Sequence, residues 1–276
     1  MILPPNFIFS QSSLQDYLDC PRRFELRYLL KVRWPAPITE PVIEFERHIQ
    51  QGLQFHQMVQ QYLNDLPLEK IQAAITDTEL QAWWQNFISF APTKPYEGKK
   101  FPEYRLSIPF EGFRLVSQYD LVIVGPEGTA VIFDWKTSRT HPRKGKMAAR
   151  AQSLIYPFVL VEAGLPSLPV QAQNVTMIYW YPNFPAHPDV IKYNQNQHQE
   201  NAGGIKDIIS RIINITDGEF SLTADEHRCL FCNYRSLCNR GSKAGLMDQM
   251  EEDALDLSGI DSLDDLDFNN TPEIHF

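Results

Sequence analysis

Three stretches of period-two hydrophobicity lie end to end in the middle of this chain and constrain its fold more than any other feature. Residues 103–110, 113–124 and 129–136 are rich in β-formers. Glu111-Gly112 separates the first two, and Gly125-Pro126-Glu127-Gly128 separates the second and third. Both separators are turn signals, so the three runs predict an antiparallel meander. Helical spacing surrounds them. Residues 11–31 read as a helix broken near Pro21. A longer helix is predicted over 41–63, with Ile43, Ile49, Leu53, His56, Val59 and Leu63 on related faces. A third is expected across 77–90, and a Pro/Gly/Lys-rich loop over 91–100. Beyond the meander the pattern predicts a helix at 148–163, a buried strand at 172–181, a short strand near 189–193, a helix near 204–215 and a cysteine-containing knob at 229–240. No internal repeat occurs. Helices, meander, helix, strand, helix is the order of an α/β or α+β domain built on one mixed sheet.

Composition adds exclusions. Hydrophobic residues make up 43% and charged residues 21% of 276 positions, which argues against a wholly disordered, collagen-like or coiled-coil chain. The net charge of −9 looks unfavourable for binding phosphate backbones. Its location matters more. Ten acidic side chains and no Lys or Arg lie between Asp248 and the end, leaving 25 basic against 24 acidic residues, or +1, in the body. The chain therefore divides into a domain over 1–247 and an acidic tail over 248–276. The tail reads as solvated. Its alternation of acid with Ile260, Leu263, Leu266 and Phe268 also suits a segment that binds a protein partner or mimics DNA over a basic cleft. Met1-Ile2-Leu3-Pro4-Pro5 is not a signal peptide, and no apolar run approaches the roughly 18 residues that span a bilayer. The expectation is an intracellular, cytoplasmic protein without a membrane partner.

The sharpest local feature is Ile132-Phe133-Asp134-Trp135-Lys136-Thr137-Ser138. Alternation along a strand puts Asp134 and Lys136 on one face, about 7 Å apart along the chain. Taken alone, that is a surface ion pair worth little. Asp120 interrupts the preceding strand, and a hairpin would bring it near Asp134. Two carboxylates so placed repel unless a divalent cation sits between them, and Mg²⁺ binds through one or two carboxylates plus substrate oxygens. Lys136 could then serve a hydroxide nucleophile or a developing phosphorane. His56, in Gly52-Leu53-Gln54-Phe55-His56, taken alone is a core histidine of an apolar helix. Gln152 and Tyr156 are four apart and share a helix face, with Pro157 disturbing the helix beside them.

Together these residues resemble the PD-(D/E)XK nuclease superfamily, specifically its RecB-like branch, which includes AddB-type recombination nucleases and CRISPR-associated adaptation nucleases. The shared pattern is Gly-x-x-x-His on a helix, an Asp ending a strand, Asp-x-Lys-Thr, then Gln-x-x-x-Tyr on a helix. Here it is Gly52 and His56, Asp120, Asp134-Trp135-Lys136-Thr137, and Gln152 with Tyr156. The resemblance implies a restriction-endonuclease-like α/β core, a central mixed sheet flanked by helices, with an N-terminal helical segment and a C-terminal Cys-rich knob. It implies Mg²⁺ or Mn²⁺ held by His56, Asp120, Asp134 and the Trp135 backbone carbonyl, with Glu103 as a further candidate. Lys136 would be catalytic, and Gln152 and Tyr156 would position the substrate strand. Ser117 stands where relatives often have glycine.

Cys229, Cys232 and Cys238 form Cys-x2-Cys-x5-Cys, and Cys20 stands alone in Cys20-Pro21-Arg22-Arg23-Phe24. Four thiolates suit zinc or an iron–sulfur cluster, and spacing does not choose between them. The resemblance implies a 4Fe–4S cluster, with Tyr234 fitting the Cys-x2-Cys-x-Tyr-x3-Cys pattern of such relatives. Ligation would close a loop of about 210 residues and clasp the N-terminal helix onto the core.

Basic residues cluster near these motifs. Lys136, Arg139, Arg143, Lys144, Lys146 and Arg150 follow one another without an acidic neighbour. Arg22, Arg23, Arg27, Lys31 and Arg33 follow Cys20, and Arg228, Arg235, Arg240 and Lys243 flank the other cysteines. All three groups are expected to contact phosphates. Phe24, Tyr28, Trp34, Phe231 and Tyr234 lie near enough to stack on single-stranded bases, although such aromatics are more often core. The sequence thus reads as a metal-dependent deoxyribonuclease, attacking single-stranded DNA from a free end, in repair, recombination or CRISPR adaptation. The rival is a non-catalytic DNA-binding subunit of a recombination complex with a structural iron–sulfur or zinc site.

Overall fold

Strand β3 (Phe113–Val124) is the axis on which the rest of the chain is assembled. A computed structural model describes residues 3, 4, 6–32, 40–125, 128–143, 145–165, 170–215, 220–241 and 245. Lys144, the residues around Trp34 and Arg33, Lys243 and the acidic segment 248–276 lie outside them. Along one edge β3 pairs antiparallel with β2 (Lys99–Phe110). Its other edge is shared: β1 (Ile8–Ser10) runs parallel to Arg114–Val116, while β4 (Ala130–Trp135) runs antiparallel to Leu121–Val124. The sheet continues through β5 (Val175–Trp180), parallel to β4, and β6 (Asp189–Lys192), antiparallel to β5.

The meander predicted from sequence is present, and β2 starts four residues before the expected Glu103. Pro102 is tolerated there because β2 pairs with β3 alone, and proline fits where no ladder donor is needed. The turn joining β2 to β3 has positive φ at both Glu111 (49°) and Gly112 (81°), the two-residue geometry that matches strand twist.

Helices cover both faces. On one lie α3 (Glu40–Leu63), α4 (Leu68–Ala73) and α5 (Thr78–Phe90). Phe55, Val59, Trp83, Trp84 and Phe87 pack there against Leu121, Phe133, Trp135 and Trp180. On the other lie α6 (Ala151–Ala163) and α7 (Gln195–Ile213), with Tyr156, Leu160 and Ile209 in the core. The N-terminal segment is α1 (Gln11–Asp19), α2 (Pro21–Phe24) and a π-helical turn over Glu25–Leu29, so the break at Pro21 is real. Ser10 and Ser13 cap α1 reciprocally.

Two elements differ from expectation. Helix α7 begins at Gln195, nine residues before 204, because the Asn194 side chain caps it and the stripe Ile205, Ile208, Ile209, Ile212 outweighs the cost of Gly203-Gly204. Helix α6 runs straight through Pro157, forfeiting one main-chain hydrogen bond while burying Ile155, Tyr156, Phe158, Val159 and Leu160. No helix among the described residues is long and apolar enough to cross a membrane.

Candidate active site

The site begins with an interruption in the β2–β3 ladder. Pro102 pairs with Leu121 and Tyr104 with Tyr119, but the intervening Glu103 and Asp120 are skipped. Side-chain alternation slips at the same place. Leu115 and Tyr119 face the α6 side of the sheet, and so do Val122 and Val124, although an unbroken strand would turn these last two away. In β2, Leu106 and Tyr104 face that side, and so does Phe101. Both strands therefore change phase at one level, which preserves register on either side. Glu103 carries the distortion, with φ at 46° in the left-handed region. Such backbone strain is costly for a residue with a Cβ and collects at functional sites.

The slip brings three ligand atoms together. One atom each of His56 on α3, Glu103 on β2 and Asp120 on β3 all lie within 4.8 Å of one another. Asp120 Oδ1 is 3.3 Å from His56 Nδ1, and its Oδ2 accepts the Trp135 amide at 2.7 Å. Glu103 accepts from Gln118 Nε2 at 3.1 Å. Asp134 stands one step beyond the last β3–β4 ladder pair, Leu121–Phe133. Its Oδ1 accepts from Gln152 Nε2 on α6, and its Oδ2 is 2.8 Å from Lys136 Nζ. The Lys136 ammonium also lies 5.8 Å from the centre of the Tyr179 ring.

Electrostatics reflect this crowding of acid. For His56, burial opposes protonation, but Asp120, with Asp134 and Glu103 behind it, lifts the imidazole to about 9. Burial and the neighbouring Asp120 raise the Glu103 carboxyl to about 7. Burial raises Asp134 to about 6, with Lys136 pulling the other way. Protons and the lysine balance the carboxylates here, where a divalent ion would otherwise do so. The grouped imidazole and two carboxylates, with Asp134 beside them, fit a hard or borderline divalent cation, and the imidazole favours Mn²⁺ over Mg²⁺.

The profile of the PD-(D/E)XK nuclease superfamily matches residues 8–239, spanning every one of these groups. The chain belongs to the PD-(D/E)XK nuclease superfamily. A structure named "Putative exonuclease" from Eubacterium rectale is 14% identical, covering 85% of this chain and 88% of its own, with a TM-score of 0.50. The structure of SSO0001 is 14% identical over 84% of this chain and 86% of its own, with a TM-score of 0.40. No curated protein matches the chain in sequence. The mixed sheet flanked by helices is the restriction-endonuclease-like fold of this superfamily, whose members are typically metal-dependent nucleases.

Several groups of this PD-(D/E)XK chain stand elsewhere than the sequence implied. Gln152, expected at the substrate, is 3% exposed and grips Asp134. Tyr156 is 1% exposed, its ring packed 4.8 Å from that of Tyr119, whose hydroxyl donates to the Tyr156 carbonyl. Arg150 is buried at the start of α6. Arg139 and Arg143 are exposed, Lys146 is half-buried, and Arg139 lies 3.9 Å from Glu79. Several arginines near the cysteines are engaged in ion pairs within the chain. Arg22 meets Glu25, Arg23 meets Asp16 and Asp19, Arg27 meets Asp16, Arg228 meets Asp19 and Arg240 meets Glu226. Phe24 is fully buried, and the Tyr234 hydroxyl donates to the Val32 carbonyl.

Sequence reading missed His48. It is fully buried on α3, its ring edge-on to Trp83, with Nε2 3.0 Å from the Thr137 carbonyl just after Lys136. Asn183 donates to the adjacent Ser138 carbonyl and accepts from Trp83 Nε1, so the helical layer holds the loop that follows the lysine. A lone histidine or asparagine carries no pattern that would mark it.

The four cysteines are free thiols, Cys20 buried and the others half-buried. Burial pushes Cys232 up to about 11 despite Arg23, and Cys20 and Cys229 push the same way. Burial and Cys20 likewise raise Cys229 and Cys238. Cys20 is thus the electrostatic neighbour of all three knob cysteines, although more than 200 positions separate them in sequence. Among the described residues the only close group of three or more metal-ligating side chains is His56, Glu103 and Asp120, and the four cysteines do not form a second.

Proposed function

We propose that this chain is a divalent-metal-dependent deoxyribonuclease that degrades single-stranded DNA from a free end. The observation that carries the reading is the paired slip at Glu103 and Asp120. It gathers these two carboxylates and His56 within 4.8 Å, beside Asp134 and Lys136. His56, Glu103, Asp120 and Asp134, with the Trp135 carbonyl, would hold the ion. When bound, it supplies positive charge to the scissile phosphate and lowers the pKa of water. Lys136, fixed between Asp134 and the Tyr179 ring, presents an ammonium to a phosphate oxygen or to the attacking water. Gln152 keeps Asp134 turned toward the site. Trp135 orients Asp120 through its amide. Arg139, Arg143 and Lys146, carried on the segment after Lys136, would contact the phosphates of the incoming strand, with Lys144 of the same segment.

In this reading Cys20, Cys229, Cys232 and Cys238 hold a 4Fe–4S cluster with a structural role, clasping the N-terminal helices to the knob. Free thiols suit a reducing compartment. Residues 1–247 are the nuclease unit, and the acidic segment 248–276 lies outside it.

The test is anaerobic purification followed by an assay on end-labelled single- and double-stranded DNA with and without added Mn²⁺ or Mg²⁺. The expected protein is brown, carries iron and sulfide, and shortens single strands only with metal. Metal-dependent binding without cleavage would make it a DNA-binding subunit. Colourless protein with stoichiometric zinc would replace the cluster and leave the nuclease reading in place.

A further inference from the structure

Helix α6, which carries Gln152, begins without a cap of its own. Its N-cap residue is Arg150, whose side chain makes no capping hydrogen bond. The first amide of the helix, Ala151 N, is instead satisfied from outside. It donates to Gln15 Oε1 of helix α1 at 2.9 Å. An unpartnered amide at a buried helix start is costly, so this contact fixes where α6 begins. Gln15 is itself held. Its Nε2 donates to Asp19 Oδ1 at 2.8 Å, one turn along α1. Asp19 in turn receives Arg228 of the cysteine knob at 2.8 Å and Arg23 at 2.8 Å.

Every side chain in this line apart from the arginines is nearly buried: Gln15 at 9%, Asp19 at 7%, Gln152 at 3% and Asp134 at 3% exposure. The contacts are continuous. Arg228 holds Asp19, Asp19 orients Gln15, Gln15 anchors the first residue of α6, and the second residue, Gln152, grips the catalytic carboxylate of Asp134. Nothing in the chemistry of cleavage requires a glutamine on α1.

We infer that Gln15 is a positioning residue for the metal centre: by setting the start of α6 it sets the reach of Gln152 onto Asp134, and through Asp19 and Arg228 it makes the cysteine knob part of the same support. The inference rests on the metal site proposed above. It differs from that proposal in locating part of the site's precision on a helix that contributes no ligand. Supports of this kind matter because groups that orient a ligand change metal affinity about 10–100-fold when directly removed. One step further out, the effect is smaller.

The experiment measures Mn²⁺ binding calorimetrically to the full-length protein, purified with its cysteine-bound group, at a temperature where circular dichroism shows each variant folded. Gln15→Met keeps the side-chain length and removes both hydrogen bonds. It is expected to weaken Mn²⁺ binding about three- to tenfold, at unchanged stoichiometry, below the range for a direct partner. Gln15→Glu keeps the acceptor for Ala151 but sets a second carboxylate against Asp19, so its Mn²⁺ affinity is expected to fall between those of the parent and Gln15→Met. Gln152→Leu alone and Gln152→Leu combined with Gln15→Met are expected to bind equally weakly, because Gln15 acts through Gln152. If Gln15→Met does not fold, Gln15→Asn, too short to reach Ala151, carries the same expectation. A purely structural Gln15 would lower the melting temperature and leave Mn²⁺ affinity unchanged, which overturns the inference. Additive losses in the double variant overturn it as well. If the parent protein binds no Mn²⁺ that Asp120→Asn removes, the metal site itself is refuted and the inference falls with it.

Discussion

Replacing Glu103 by glycine and by alanine gives two proteins that differ in one respect, the ease with which residue 103 adopts a positive φ. Both lose the carboxylate, its raised pKa and the Gln118 hydrogen bond, so these effects cancel between them. In an ordinary strand alanine is the more stable of the two by about 0.5–1 kcal/mol, because glycine loses more backbone freedom on folding. At φ 46° the ordering changes. The left-handed conformation costs a residue with a Cβ about 1–2 kcal/mol, and glycine escapes it. The difference is expected to favour Glu103→Gly by about 0–1.5 kcal/mol, centred on about 0.75, a reversal of sign. Urea unfolding in the presence of a chelator reads this as a higher midpoint for the glycine variant at equal slope. Neither variant is expected to retain the parent's Mn²⁺ affinity. A higher midpoint for Glu103→Ala would show that residue 103 is not strained, and the paired slip that assembles the site would lose its support.

Other outcomes follow from the same geometry. Lys136→Ala is expected to abolish cleavage while leaving Mn²⁺ binding and colour intact, since the lysine contacts Asp134 and lies outside the ligand set; normal cleavage by this variant would remove Lys136 from the chemistry. Metal-free protein is expected to lose stability as pH rises. His56 is raised from 6.5 to about 9, so its contribution is complete below 6.5 and gone above 9. Glu103 and Asp134, raised from 4.5 to about 7 and from 3.8 to about 6, shift the balance in the same direction from lower pH. Melting temperatures between pH 6.5 and 9 should therefore fall in chelator and fall less in Mn²⁺, whose ligands must be deprotonated; a rise in chelator would contradict the assignment. Mn²⁺ is expected to support cleavage at lower concentration than Mg²⁺, because an imidazole sits among the ligands. His48→Phe keeps the packing on Trp83 and removes the hold on Thr137, and is expected to lower kcat roughly tenfold with little change in KM, as loss of a positioning contact does; an unchanged kcat would make His48 a core residue only.

The groups legible in the sequence were those bound by a local period. Asp134 and Lys136 are two apart on one strand and His56 sits on a long amphipathic helix, so spacing gave their faces, but only the resemblance to PD-(D/E)XK nucleases joined them into one site. The phase slip was hidden because β3 is apolar on both faces around it. Tyr119, Leu121 and Val122 are all fully buried, so the burial on either side of Asp120 does not show that the alternation shifts there. Charge misled for a related reason. Arg22, Arg23 and Arg27 form a basic run on paper, but Asp16 and Asp19 are brought beside Arg23 and Arg27 once the chain turns at Pro21, and Glu25 meets Arg22. Gln152 was recognised as a site residue, and only the fold shows that Asp134 lies within its reach. Gln15 and His48 act through a single main-chain contact each, and no spacing rule detects such residues.

The most direct measurement is anomalous scattering from a crystal of the full-length protein equilibrated with Mn²⁺. The account requires a manganese peak coordinated by His56, Glu103, Asp120 and Asp134, with the Trp135 carbonyl, and with Lys136 outside the coordination sphere. A manganese peak elsewhere, or none at a concentration that supports DNA cleavage, would contradict it.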